Sequence, residues 1–151
     1  MRRAVRLIYL EPEHFDAPPP PFRSGAGGRV WMSEQGELLT DERVRISANT
    51  LHALEGHGVL GELNRLPLEM GKLGDGREVM LPQATLDQAA DILTEADRKT
   101  YGAIWEFVIA RDAAAEFRVR IDNREYQRAL ARLRDLIVAA GRQGHAVWLR
   151  I

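Results

Sequence analysis

Cysteine is absent from the sequence. That excludes a disulfide scaffold, a thiolate nucleophile, an iron–sulfur cluster and any zinc site that uses sulfur. It also fits a reducing compartment. Serine is scarce, at Ser24, Ser33 and Ser47 alone, and none sits in a G-x-S-x-G elbow, so no Ser/His/Asp triad can be assembled. Long apolar runs are missing, and nothing approaches the roughly 20 residues of a membrane-spanning helix. The apolar run at residues 4–10 meets Glu11, Glu13 and His14 too soon for the core of a signal peptide. The one glycosylation test, Asn49-Thr50-Leu51, fails at its third position. These absences predict a cytoplasmic protein that makes no use of a membrane. A large charge of either sign is lacking too. The net charge is −1, which removes any whole-molecule electrostatic argument for nucleic acid.

Within these limits, 151 residues with 45% apolar and 28% charged side chains describe one globular domain, 1–151, large enough to bury a core unaided. Residues 4–10 read as a strand. Residues 11–28 follow as a Pro/Gly-rich loop, stiffened into polyproline II by the four prolines at 18–21. Val30-Trp31-Met32 and Leu38-Leu39 flank a hairpin turn. Ser47 or Asn49 caps a short helix that runs to about Glu55 and ends at Gly56 and Gly58. Residues 66–70 and 77–81 read as a second hairpin. Thr85 and Gln88 form a capping-box pattern ahead of Leu86, Ala89, Ala90, Leu93 and Ala96, which recur at helical spacing.

Residues 101–110 fit a helix or a strand. The strand is favoured, because Gly102 weakens a helix and the run is rich in residues suited to a pleated surface. Residues 116–121 alternate strictly, with Phe117, Val119 and Ile121 on one side and Glu116, Arg118 and Arg120 on the other. The strongest helix spans residues 124–140. Tyr126, Leu130, Leu133, Ile137 and Ala140 make one stripe on it, Asp122 or Asn123 caps it, and Gly141 stops it. Residues 145–151 close the chain as a strand. The expected fold is therefore α+β: a mainly antiparallel sheet, two to three helices on one face, and a C-terminal β-β-α-β unit. Val119, Ile121, Phe117 and Trp148 are expected under the helix stripe.

Chemistry-bearing patterns are few. His52, Glu55 and His57 resemble a zinc-protease helix in composition only. His57 falls at i+5 beyond an intervening glycine, whereas HExxH places its histidines at i and i+4. With His14 from a Glu/His/Asp-rich loop they are the only metal candidates, but a helix C-terminus with His57 at its negative end is the better reading, and no metal site is expected. Ser24-Gly-Ala-Gly-Gly-Arg29 lacks both the Walker A and the GxGxxG pattern and reads as a flexible turn. No cofactor is expected. The proline run, with Pro18, Pro21 and Phe22, suits either a docking ligand for a groove or a stiff spacer.

Arginine outnumbers lysine nineteen to two, which reads chiefly as codon bias in a GC-rich genome and secondarily as use of the bidentate guanidinium. Residues 116–151 carry eight arginines against four acids, a local net charge of +4. Arg124, Arg128 and Arg132 lie one turn apart on the long helix, and Arg118 and Arg120 lie on the polar face of the preceding strand. Together they are the candidate partner-binding residues, against the alternative of an ordinary solvated face. Three functions are expected in order: a small bacterial protein-interaction module of immunity, inhibitor or adaptor type; a nucleic-acid binder using the arginine face; and an enzyme with a site built from dispersed His and Glu residues. A homodimer through the final strand, if that strand lies at a sheet edge, is a further expectation.

Overall fold

The computed structural model describes residues 6–10, 28–34, 37–111 and 115–151, with side chains at 44–108, 116 and 118–151. The fold is α+β, and its strands divide between two sheets. In the first, of order β1-β6-β5, β1 (Arg6–Leu10) runs parallel to β6 (Ala115–Asp122), and β5 (Ile104–Arg111) runs antiparallel to it. In the second, of order β3-β2-β7-β4, β2 (Gly28–Glu34), β3 (Glu37–Ile46), β4 (Glu78–Leu81) and β7 (Ala146–Arg150) are all antiparallel to their neighbours. Among the described residues four helices accompany them: α1 (Ala48–Gly56), α2 (Val59–Asn64), α3 (Leu86–Lys99) and α4 (Asn123–Gln143).

Helix α4 is the spine. Asp122 accepts the N–H groups of Arg124 (2.9 Å) and Glu125 (3.3 Å), which caps the helix. Tyr126, Leu130, Leu133, Ile137 and Ala140 are all buried, and Leu136 joins them. This stripe meets α3 along its length, with α1, β2, β3, β7 and the end of β6 also in contact. Val44, Ile46, Val79, Leu81, Val147 and Leu149 from one sheet and Val119 and Ile121 from the other close the core around it. The expected β-β-α-β order holds at the C-terminus, but the unit bridges two sheets. Strand β6 passes into α4 without a loop, and 21 helical residues carry the chain about 31 Å. The five-residue strand that follows pairs with β2 and β4 and not with β6.

Several local expectations are corrected. Strand β7 is flanked by β2 and β4, so it offers no edge to a second copy. Its buried side chains are Val147 and Leu149; Trp148 faces the other way and is half-buried. The side chain of Phe117 lies outside the described residues. Helix α4 runs past Gly141 and stops at Gly144, whose φ of +73° suits glycine. The Thr85 hydroxyl does not cap α3; it donates to the Pro82 carbonyl (2.7 Å) at the end of a 3-10 turn. Residues 66–70 form no strand, only a bridge between Glu69 and Met80, because Pro67 has no N–H to give a ladder. Residues 59–64 form the extra helix α2. Residues 104–111 are a strand, as the composition predicts.

Candidate functional site

The first candidate is the exposed edge of α4. Arg124, Arg128 and Arg132 are all solvent-exposed. They are spaced about 6 Å apart along the axis, and among the described residues none has a carboxylate within ion-pair distance. The exposed line continues through Asp135 and Val138 to Arg142. Because the opposite side of the helix is locked in the core, these guanidinium groups are carried on a rigid rail.

Arg118 and Arg120 belong to a different arrangement. On the outer face of β6, Arg120 pairs with Glu106 of β5 (3.1 Å), and Arg118 pairs with Glu106 (3.6 Å) and with Glu116. The cross-strand register that sets Glu106 opposite Arg120 explains the first pair. The expected five-arginine patch thus divides into three free guanidinium groups on α4 and two neutralised ones on the sheet. Beside the latter, Ile104 and Val108 are exposed on the same face of β5.

The second candidate surrounds His57. This residue is the C-cap of α1, and its N–H donates to Ala53 (2.8 Å). Its ring stacks on Tyr126 of α4 (centroids 4.6 Å apart, planes within 1°) and lies 4.2 Å from Trp105 and 5.0 Å from Phe107, both on β5. Gly56 makes the approach possible, since a Cβ there would stand 2.5 Å from the Phe107 ring. Asn123 is fully buried and donates through Nδ2 to the carbonyls of Tyr101 and Gly102, both at 3.1 Å. Trp105 Nε1 donates to the Tyr101 carbonyl as well (2.8 Å).

Three buried polar atoms here complete no hydrogen bond: His57 Nε2, Asn123 Oδ1 and Tyr126 Oη. Burial lowers the imidazole's affinity for a proton, while the neighbouring Asn123 side chain opposes that trend. Burial likewise pushes the Tyr126 phenol well above its ordinary value, with the Asp97 carboxylate as the lesser cause.

The metal candidates do not gather. His52 is buried within α1, Glu55 is exposed, and His57 turns into the aromatic group. Among the described residues no three His, Cys, Asp or Glu side chains form a metal-binding cluster. His14, Pro18, Pro21 and Phe22 lie outside the described residues. Sequence reasoning missed the Asn123–Tyr126–His57–Trp105 grouping, whose members come from three separate elements. The one available signal was an asparagine and a tyrosine at i, i+3 on an otherwise well-patterned helix. No helix is long and apolar enough to cross a membrane among the described residues. No known protein family, curated protein or solved structure matches the chain.

Proposed function

We propose that this chain is a protein-binding module that takes an acidic partner surface on the exposed edge of α4. The observation that carries this reading is the row Arg124, Arg128 and Arg132: three solvent-exposed guanidinium groups on one rigid helix, without carboxylate partners among the described residues. Bidentate guanidinium–carboxylate pairing rewards such a fixed row, and arginine is a favoured anchor at protein interfaces. Val138 adds an exposed apolar contact farther along the same helix. That mode of action suits an immunity, inhibitor or adaptor role.

Nucleic acid is the competing occupant. Two features weigh against it: a net charge of −1 and Asp135 within the row. No described aromatic side chain is interleaved there to stack on bases. Fluorescence anisotropy against a glutamate-rich peptide and a single-stranded oligonucleotide of equal charge separates the two. Tighter capture of the peptide supports the proposal. Tighter capture of the oligonucleotide, with log K falling against log salt at a slope of about −2 for three phosphate contacts, replaces it with the nucleic-acid reading.

A further inference from the structure

Three elements meet at one imidazole. His57 ends α1, Trp105 and Phe107 belong to β5, and Asn123 and Tyr126 belong to the first turn of α4. The ring is thus a wedge between two walls, in contact with an aromatic side chain on each. Among the described residues no hydrogen bond of normal geometry reaches Nε2, Asn123 Oδ1 or Tyr126 Oη, although the Asn123 side chain lies close enough to the imidazole to favour its protonated form.

We propose that His57 is a pH-operated wedge: neutral, it holds the end of α1 between β5 and α4; protonated, it leaves the aromatic slot and frees that end of the helix.

The charged groups around the slot decide the direction. From β5, Glu106 is directed to the opposite face, where Arg118 and Arg120 engage it. From α1, Glu55 is exposed. From α4, Glu125 accepts from Ser47 Oγ (2.6 Å), Arg124 is exposed, and the helix presents its positive N-terminal end. From α3, Asp97 acts on the Tyr126 phenol. Among the described residues His57 makes no ion pair. A charge on the ring is therefore favoured by the Asn123 side chain, by the aromatic faces and by the C-terminal end of α1. It is opposed by desolvation and by the start of α4. Burial is the larger influence on the proton affinity of His57, so the slot holds the charged ring less well than the neutral one.

The test is amide hydrogen exchange, followed by NMR between pH 7.5 and 5 on the full chain and corrected for intrinsic rates. The N–H groups of His57 and Gly58, which bond to Ala53 (2.8 Å) and Glu55 (3.1 Å), are expected to lose roughly tenfold or more of their protection as the ring protonates. The protection of β7 stays constant, and ring contacts between His57 and Tyr126 disappear over the same range. In His57→Phe the pH dependence vanishes; should that variant fail to fold, His57→Gln serves the same purpose. Persistence of the His57–Tyr126 ring contacts after the imidazole has titrated, or protection at His57 and Gly58 that does not change with pH, overturns the proposal.

Discussion

At the scale of single residues, the unusual feature is a set of buried polar atoms without partners. Tyr126 is fully buried, yet its hydroxyl has no hydrogen-bond partner among the described residues. Leaving such a group unsatisfied costs about 1–3 kcal/mol. Removing it while keeping the ring preserves the stack on His57, so Tyr126→Phe is expected to stabilise the fold by about 1 kcal/mol. Urea denaturation checks this, and a loss of stability would reveal a partner for the hydroxyl. His57 makes the second prediction. Its proton affinity is lowered in the fold from an ordinary value of 6.5, so as pH falls the unfolded chain takes up the proton first. The contribution is complete above about 6.5 and declines as pH falls toward the folded value. Melting temperature measured from pH 8 to pH 5 should drop more in the native chain than in His57→Phe; equal slopes would contradict it. Neither residue advertises this role in sequence, because a lone tyrosine and a histidine beyond a glycine acquire meaning only through β5.

At the scale of elements, the joins carry much of the specificity. The Asn49 side chain accepts from the Asp122 N–H (3.0 Å) and donates to the Asp122 carbonyl (3.3 Å), tying the start of α1 to the junction of β6 and α4. Ser47 caps α1 by accepting from the Thr50 N–H (3.2 Å) and donates to Glu125 across the same junction. Asn49→Ala removes both Asp122 bonds, leaving the N–H and carbonyl of Asp122 without those partners. It should lower stability by about 2 kcal/mol, read as a shift in the urea midpoint at constant slope; a change below about 0.5 kcal/mol would show the tie to be incidental.

Elements with strong periodicity were legible in advance. The stripe of α4 and the alternation of β6 come from spacing alone, and the residue types narrowed the cap of α4 to Asp122 or Asn123, of which Asp122 serves. Short or context-dependent ones were not: α2 has only six residues, and the Thr85 hydroxyl donates to the Pro82 carbonyl instead of accepting an amide of α3.

At the scale of the molecule, α4 joins the two sheets and presents one narrow exposed line to solvent. Leu130 lies near the middle of its buried stripe. Leu130→Ala should cost about 2–5 kcal/mol, and because one core spans both sheets the loss should appear as a single earlier melting transition. Two separate transitions would show that the sheets fold independently.

The division into two sheets was not legible, since hydrophobic pattern shows which face is buried but not which strand returns beside which. The arginine row was legible as a helix face. What sequence could not show was that Glu106 and Glu116 neutralise the two strand arginines and leave the three on α4 unpaired.

That row supports the central claim, and charge reversal tests it most directly. Arg124→Glu, Arg128→Glu and Arg132→Glu combined should leave the melting temperature nearly unchanged, because all three side chains are exposed. Affinity capture from the source organism with the native and reversed chains, read by quantitative mass spectrometry, should yield an acidic protein that the reversed chain loses by on the order of a hundredfold. Recovery of the same proteins at equal abundance by both chains would contradict the account.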